Sequence, residues 1–223
     1  MSIVNSGIDV ATGSGAAKIP RGGHLKRLFD LLTACLLLFA LLPLLLFVAL
    51  AIFSTERGPI LYGHDRIGYK GRCFRCLKFR SMVPNGDVVL AQYLAANPAA
   101  RAEWEASQKL RHDPRITPLG RFLRATSLDE LPQLLNVIRG DMSLVGPRPI
   151  VDAEMARYGN RIEAYTCARP GITGLWQVSG RSDVDYGRRV QLDSHYVSTW
   201  SLPGDLLILL RTVKVVFSQS GSY

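Results

Sequence analysis

The sequence predicts an α+β protein that is mainly helical, with a re-entrant membrane helical hairpin and a compact cytoplasmic domain. The first observation behind this is an apolar run from Leu31 to Phe53 without a charged residue. The second is a series of later segments with helical apolar periodicity, and the third is a pair of short alternating segments typical of a small β element. We therefore expect a disordered tail over 1–23, a membrane helix over 24–56 and a cytoplasmic domain over 57–223.

The tail and the membrane segment differ sharply in composition. The tail is rich in Gly, Ser and Ala and shows no periodicity, which is typical of a disordered segment. The uncharged run is about 23 residues long and would span about 34 Å as a helix, which matches a bilayer core. It is too long for the core of a signal peptide and begins too late, so we expect it to remain in the mature protein.

Basic residues flank the membrane segment on both sides. Arg21, Lys26 and Arg27 precede it, and the basic residues that follow it are Arg57, Arg66, Lys70, Arg72 and Arg75. Because Lys and Arg favour the cytoplasmic side, neither end is expected to cross the membrane. Pro43 lies near the middle, where it removes a backbone hydrogen bond, and we expect it to break the membrane helix. These features predict a re-entrant hairpin, and a plain single span with a tolerated proline is the alternative.

The elements after the membrane segment are expected to be short. Residues 59–62 and 72–82 alternate as strands joined by Gly-containing turns, which would place Lys78 and Arg80 on one face. Helices are predicted over 87–112, 128–139, 152–165, 183–198 and 204–218. The last helix is apolar nearly all round, so it belongs either at the membrane interface, as an interfacial amphipathic helix, or in a buried core.

The charge of the chain points to phosphate and membrane partners. The formal net charge is +9, and 21 of the 27 basic residues are arginine, whose planar fork binds phosphate in a bidentate manner. Neither a nucleic-acid reading motif nor an aromatic stacking platform is present, so no nucleic-acid partner is expected. Cys73 and Cys76 have the spacing of a zinc knuckle, but no second pair follows and we expect no zinc. The cysteine within the membrane run, Cys35, favours a reducing cytoplasm over a disulfide framework.

Two adjacent carboxylates, Asp129 and Glu130, stand out because acidic residues are scarce in this basic chain. One interpretation is a capping box, in which Ser127 caps a helix and Glu130 reaches back to a free amide. The other is a catalytic pair, because Arg124 and the arginines around Gly146-Pro147-Arg148-Pro149 favour a phosphate site. Carboxylates would repel a phosphate unless a divalent cation bridges them or one of them attacks the phosphorus.

Three segments together strongly resemble the bacterial sugar transferase family, the monotopic phosphoglycosyl transferases: Cys76–Met82, Ser127–Pro149 and Arg169–Arg181. The resemblance covers roughly residues 24–223 and extends most closely to the exopolysaccharide undecaprenyl-phosphate galactosephosphotransferases. It implies transfer of a sugar 1-phosphate, galactose or otherwise glucose, from a UDP-sugar to undecaprenyl phosphate with release of UMP. It also implies a monotopic protein of the bacterial inner membrane, in contact with membrane lipids, with its active site on the cytoplasmic face.

The resemblance also implies roles for individual residues. The family's Asp-Glu pair falls on Asp129 and Glu130, with Asp129 as the nucleophile and Mg²⁺ beside the pair. Glu130 could ligate the metal, orient Asp129 or accept a proton, and we expect a supporting role. The residues expected to bind substrate are Lys78, Arg80, Arg124, Arg148, Gln177 and Arg181. Many relatives have serine where this chain has Leu42, so the helix break depends on Pro43 without that hydroxyl. The oligomeric state is open, and a homodimer is one alternative.

Overall fold

The computed structural model describes residues 19–56, 58–180 and 185–217, and this part of the chain is mainly helical with two small sheets. Its α-helices are α1 (Gly23–Thr55), α2 (Gly86–Ala96), α3 (Pro98–Ser107), α4 (Pro118–Ala125), α5 (Gln133–Arg139), α6 (Asp152–Tyr158), α7 (Ile162–Thr166), α8 (Tyr186–Thr199) and α9 (Leu202–Phe217). Its strands are β1 (Leu61–Ile67), β2 (Cys73–Phe79), β3 (Ser143–Val145) and β4 (Gly171–Thr173). Single 3₁₀ turns lie at Tyr69–Gly71, Leu128–Glu130 and Gly159–Arg161.

Helix α1 contains the predicted membrane segment. Among the residues that the structure describes, it is the one helix long and apolar enough to cross a membrane, by length and composition. Its large side chains face outward, and Phe39 and Phe47 are 79% and 69% exposed. The helix continues through Pro43, so the expected break is not an end of the helix, and the hairpin stays a prediction. The predicted tail lies outside the described residues up to position 18.

Both halves of α1 contact the same domain. Before Pro43, the carboxylate of Asp30 accepts hydrogen bonds from Ser143 Oγ (2.7 Å) and from the backbone N–H of Leu144 (3.1 Å). After Pro43, Ile52 is fully buried in an apolar cluster that includes Leu123 of α4. Helix α1 is therefore anchored to the domain on both sides of its proline.

Strands β1 and β2 form an antiparallel hairpin in which Tyr62 pairs with Lys78. The hairpin is attached to α5 through Asn136, whose side chain accepts from Leu77 N–H (2.9 Å) and donates to the Arg75 carbonyl (2.8 Å). Side chains two positions apart share a face of a strand, so Lys78 follows the buried Cys76 toward the interior. The predicted strand over 59–62 is wrong in its bounds, because Pro59 has no backbone N–H and the strand begins only at Leu61.

Three predicted helices are each split in the structure. The predicted helix 87–112 is α2 and α3, because the residue before Pro98 is extended, with φ −130° at Asn97. The predicted helix 128–139 is a 3₁₀ turn followed by α5, with Pro132 between them. The predicted helix 152–165 is α6 and α7, since the chain turns at Gly159, where φ is +51°. Periodicity identified the apolar faces but not these interruptions.

Two features have no counterpart in the sequence analysis. Helix α4 is only eight residues long, with Thr117 as N-cap accepting from Gly120 N–H at 2.8 Å. Strands β3 and β4 form a parallel pair of three residues each, in which Ser143 pairs with Gly171. All three residues of β3 are buried, so no alternation marks the strand. Elements this short provide too few residues for a periodic signal.

The two C-terminal helices confirm the prediction of helices near these positions. Helix α8 and the neighbouring β3 contribute Tyr196, Val197 and Val145 to the main apolar cluster. Helix α9 buries Asp205 and Ile208, whereas Leu210 and Val213 are 70% and 56% exposed. One face of α9 is thus part of the core, as the buried-core alternative predicts, and the other is an exposed apolar face, for which the membrane interface stays a prediction.

Candidate active site

Asp129 and Glu130 lie on a 3₁₀ turn between α4 and α5, not in the first turn of a helix capped by Ser127. Ser127 has a left-handed backbone with φ 58°, and its side chain makes no capping hydrogen bond. The turn is closed instead by backbone bonds from Glu130 N–H to the Ser127 carbonyl and from Leu131 N–H to the Leu128 carbonyl, both 3.2 Å. The capping-box interpretation is therefore wrong, because the Ser127 side chain caps no amide of the turn.

Lys78 of β2 contacts both carboxylates. Its Nζ is 2.6 Å from Glu130 Oε1 and 3.8 Å from Asp129 Oδ2. The two acids are separated from Lys78 by about fifty positions of sequence, and the hairpin attached to α5 brings them together. Lys78 thus lies within ion-pair distance of two adjacent carboxylates, of which Asp129 is buried and Glu130 is half-buried.

Burial of Asp129 sets its protonation. Removal of its carboxyl from water raises the pKa of Asp129 to about 6, and the neighbouring charge of Glu130 acts in the same direction. Lys78 and Arg124 oppose this shift because their positive charges favour the carboxylate. At neutral pH the side chain is therefore mostly ionised, as a nucleophile requires.

Arg124 and Arg148 also belong to this site. Arg124, at the end of α4, is close enough to Asp129 to lower its pKa electrostatically. Burial lowers the pKa of Arg148, and the negative charge of the nearby Glu130 opposes this shift. The guanidinium of Arg148 lies over the ring of Trp176, with its carbon 5.3 Å from the ring centroid. The structure thus gathers Lys78, Arg124 and Arg148 around the acidic pair.

The remaining predicted binding residues are placed differently. Arg80 follows the end of β2, and its Nε is 3.6 Å from Glu56 Oε2 while its Nη2 donates to the Glu56 carbonyl at 2.9 Å. It therefore joins the end of α1 to the hairpin. Gln177 donates to the Ile172 carbonyl at 3.1 Å and lines a cavity that also reaches Glu130. Arg181 lies outside the described residues.

That cavity has a volume of about 330 Å³ and a mostly apolar wall. Leu37 and Leu41 of α1, Leu209 and Val215 of α9 and the carboxylate residue Glu130 all line it. A mostly apolar cavity that includes a residue of the acidic pair suits a ligand with a hydrocarbon tail and a polar head.

The acidic pair fits a magnesium ion that is shared with a substrate. Mg²⁺ is commonly held by one or two carboxylates, with the other positions filled by water and substrate phosphates. Within 19–56, 58–180 and 185–217 no group of three or more His, Cys, Asp or Glu side chains could hold a metal ion. Asp129 and Glu130 are two adjacent carboxylates beside Lys78, which is the kind of ligand pair that a Mg²⁺ shared with a substrate phosphate would use.

The sequence analysis did not predict a polar cluster behind Arg148, that is, on the side of Arg148 where α8 lies. Its members are Glu154, Tyr158, Arg189 and Asp193. Arg189 of α8 lies over the same Trp176 ring, 5.2 Å from its centroid, and its Nη1 is 3.5 Å from Glu154 Oε1. Burial raises the pKa of Asp193 to about 7, and Tyr158 OH donates to this side chain at 2.8 Å. The available signal was the pair of Arg189 and Asp193 four positions apart on a predicted helix.

Comparison with known proteins identifies related sequences. Residues 22–219 match the family described as bacterial sugar transferase. The exopolysaccharide production protein ExoY of Sinorhizobium fredii is 53% identical over 204 residues, which cover 92% of this chain and 90% of that protein.

Two further relatives have names that describe a reaction. The undecaprenyl-phosphate galactose phosphotransferase of Salmonella typhimurium is 54% identical over 199 residues, which cover 89% of this chain and 42% of that protein. The UDP-glucose:undecaprenyl-phosphate glucose-1-phosphate transferase of Caulobacter vibrioides is 44% identical over 206 residues, which cover 89% of this chain and 72% of that protein.

Proposed function

This chain belongs to the bacterial sugar transferase family, and from that premise we propose that it transfers a sugar 1-phosphate from a UDP-sugar to undecaprenyl phosphate. It is a phosphoglycosyl transferase that acts in exopolysaccharide synthesis, at the first membrane step. Galactose is the proposed sugar and glucose the next candidate, because relatives named for both are similar to this chain. The single observation that carries the proposal is the buried Asp129 beside Lys78 and Glu130, the last of which also lines an apolar cavity.

The proposed reaction has two steps at one phosphorus atom. A carboxylate oxygen of Asp129 attacks the sugar-bearing phosphorus, an O–P bond forms, and the bond to UMP breaks. A phosphate oxygen of the lipid then attacks the same phosphorus, and the carboxylate of Asp129 leaves. The products are UMP and undecaprenyl diphosphate sugar.

The residues around Asp129 support this chemistry through charge. Lys78 and Arg124 offset the negative charge of the approaching phosphate, and Arg148 acts on the side of Glu130. Glu130 orients Lys78 through their 2.6 Å contact and is suited to accept a proton from the acceptor. Asp129 and Glu130 would hold Mg²⁺, which when bound neutralises part of the charge of the diphosphate.

The apolar cavity is the proposed site of the lipid acceptor. Its walls come from α1 and α9, both of which expose apolar side chains, so a prenyl chain can enter from the membrane. Glu130 lines the same cavity, and the lipid phosphate would arrive beside it.

A re-entrant arrangement of α1 is the proposed membrane topology, with the active site on the cytoplasmic face of the inner membrane. It is supported by the contacts of Asp30 and Ile52, on opposite sides of Pro43, with one domain. A straight span would separate these two residues by about 33 Å along the bilayer normal, at 1.5 Å per residue. The exposed face of α9, with Leu210 and Val213, is the proposed interfacial surface.

Intact-mass measurement tests the covalent step. The purified chain is incubated with UDP-galactose and Mg²⁺ in the absence of lipid acceptor, and we expect a mass increase of one hexose phosphate. Asp129→Asn should fold and insert but gain no mass, and Glu105→Gln, at an exposed position of α3, should behave like the unchanged chain. If UMP release and lipid loading proceed normally in Asp129→Asn, transfer is direct and the covalent step is rejected. UMP release measured across a panel of UDP-sugars identifies the sugar.

A further inference from the structure

A second cavity borders the segment that leads into the acidic pair. Arg124 and Ala125 line this cavity, whereas Thr126, Ser127 and Glu130 line the apolar cavity described above. Its volume is about 620 Å³, within the range of about 300 to 1,000 Å³ that is typical of small-molecule sites. The segment 124–130 therefore borders two cavities, of which the second is the larger.

The walls of the second cavity are strongly basic. Arg111, Arg115, Arg121 and Arg124 all line it. Asp113 pairs with Arg115, through Nη2–Oδ2 at 2.6 Å and Nε–Oδ1 at 2.9 Å, and its charge also interacts with Arg124. Glu103 lines the cavity as well, and its Oε1 accepts a hydrogen bond from the backbone N–H of Arg111 at 2.8 Å. The cationic side chains of the lining, Lys109 and the four arginines, outnumber its two carboxylates, so the cavity has a positive potential that attracts a phosphate.

The cavity is built on ordered structure. Arg115 lies over the ring of Trp104 of α3, 5.0 Å from its centroid, which fixes the loop between α3 and α4. Gly120 allows α4 to approach the end of the hairpin, because a Cβ at this position would collide with the Ser81 carbonyl oxygen. An isolated backbone bridge between Met82 and Ile116 joins the same two segments.

The lining also contains apolar side chains. Met82, Leu110 and Ile116 contribute to the same walls as the arginines. A bare phosphate would need only the cations, whereas a ligand that combines a phosphate with a flat ring and a sugar would use both kinds of surface. A nucleoside monophosphate has this combination.

We propose that the basic cavity binds the nucleoside monophosphate half of the donor, with Arg111 and Arg121 as binding residues. The proposal rests on the proposed function, since it requires a UDP-sugar whose sugar-bearing phosphorus faces Asp129. Arg124 lines the cavity and adjoins the turn, so the diphosphate passes from the basic cavity to the nucleophile. The nucleotide and the lipid then occupy two different cavities and do not compete for space.

The test measures binding of UMP to the full chain in detergent with Mg²⁺ present, by equilibrium dialysis. Arg111→Gln and Arg121→Gln should each raise the Kd for UMP about tenfold, the expected effect of losing one charge-assisted hydrogen bond. Arg101→Gln, an exposed arginine of α3 outside the cavity, is the matched control and should leave the Kd unchanged. Steady-state assays should show the same increase in KM for the UDP-sugar and no change in KM for undecaprenyl phosphate.

Three results would overturn the proposal. In the first, the Kd for UMP is equal in all three variants. In the second, inorganic phosphate binds as tightly as UMP and loses affinity equally on substitution of Arg111 or Arg121, which would identify a bare phosphate site. In the third, the two substitutions weaken binding only to phosphatidylglycerol vesicles, which would identify a lipid headgroup site. Absence of the hexose phosphate adduct on the unchanged chain would reject the covalent function and leave the UMP binding result interpretable by itself.

Discussion

Two buried polar networks in this protein differ in how completely their groups are paired. In the first, at the junction of α1 and α9, Asp205 accepts from Lys26 Nζ (2.6 Å), Tyr196 OH (2.8 Å) and Trp200 Nε1 (3.0 Å). In the second, behind Arg148, several buried atoms have no hydrogen-bond partner: Arg189 Nε and Nη2, Asp193 Oδ1 and Trp176 Nε1. The first network holds the fold together, whereas the second lies beside the candidate active site.

The comparison shows that, of the two networks, the one beside the candidate active site contains the buried polar atoms without hydrogen-bond partners. A buried polar atom without a partner costs about 1 to 3 kcal/mol, so the paired network stabilises the fold more per group. Arg148 and Arg189 are held by the same indole ring and repel one another electrostatically. Such an arrangement is expected where a protein must bind an anion, because positive charge held in place before binding attracts the substrate.

The largest expected effect comes from breaking the paired network. Asp205→Ala leaves Lys26 buried without its 2.6 Å partner, and we expect a loss of about 3 to 5 kcal/mol in the free energy of unfolding. Thermal unfolding in detergent measures this loss. Glu105→Ala, at an exposed position of α3, is the control and should change the melting temperature little. A normal melting temperature for Asp205→Ala would mean that the junction does not hold α1 to the domain.

The second prediction uses the pH dependence of the incompletely paired network. Burial raises the pKa of Asp193 to about 7, so the folded state keeps a proton that the unfolded state loses near 3.8. The free energy of unfolding should therefore fall as the pH rises from 5 to 8, with a contribution from Asp193 of about 2 kcal/mol. The charged groups that face Asp193 are Arg189 and Arg148, with Tyr158 as the hydroxyl donor.

Asp193→Asn should remove this contribution, so the variant gains stability relative to the unchanged chain between pH 5 and pH 8. Melting temperatures at both pH values in the same detergent measure the difference. The control is Asp65→Asn, an exposed acid on β1, which should leave the pH dependence as it was. Parallel curves for the unchanged chain and Asp193→Asn would show that Asp193 is ionised in the folded state throughout.

The smallest expected effect comes from removing one hydroxyl group from each network. Tyr196→Phe removes the hydroxyl that bonds to Asp205, and Tyr158→Phe removes the one that bonds to Asp193. Each should cost about 1 kcal/mol in stability. Only Tyr158→Phe should move the pH dependence, to higher pH, because Asp193 loses a donor that favours its carboxylate. Equal pH profiles for the two variants would contradict the distinction between the networks.

Some parts of the active site could be predicted because they lie close together in sequence or have a strong local signal. The adjacent Asp129 and Glu130 were singled out by their rarity in a basic chain, and Lys78 by its place on a predicted strand. Arg80 was placed on the same face, but the strand ends at Phe79 and Arg80 pairs with Glu56 instead. The end of a strand depends on its partner strand, which alternation within one segment does not reveal.

Other parts could not be predicted because they depend on contacts between distant segments. Arg189 reaches Trp176 and Glu154 only through the packing of α8 on the rest of the domain. The two cavities are formed by segments far apart in the chain, such as Leu37 with Val215 and Met82 with Arg121. No local pattern contains that information.

The sequence by itself determined the long apolar helix, the helical character of the chain and the acidic pair within a basic protein, since periodicity and composition act over neighbouring residues. Only the tertiary structure decided which cations face Asp129, which pair elsewhere, and which buried groups stay unpaired. The physical reason is that electrostatic interactions and cavities depend on distances in space, and the packing of α1, α5 and the hairpin sets those distances.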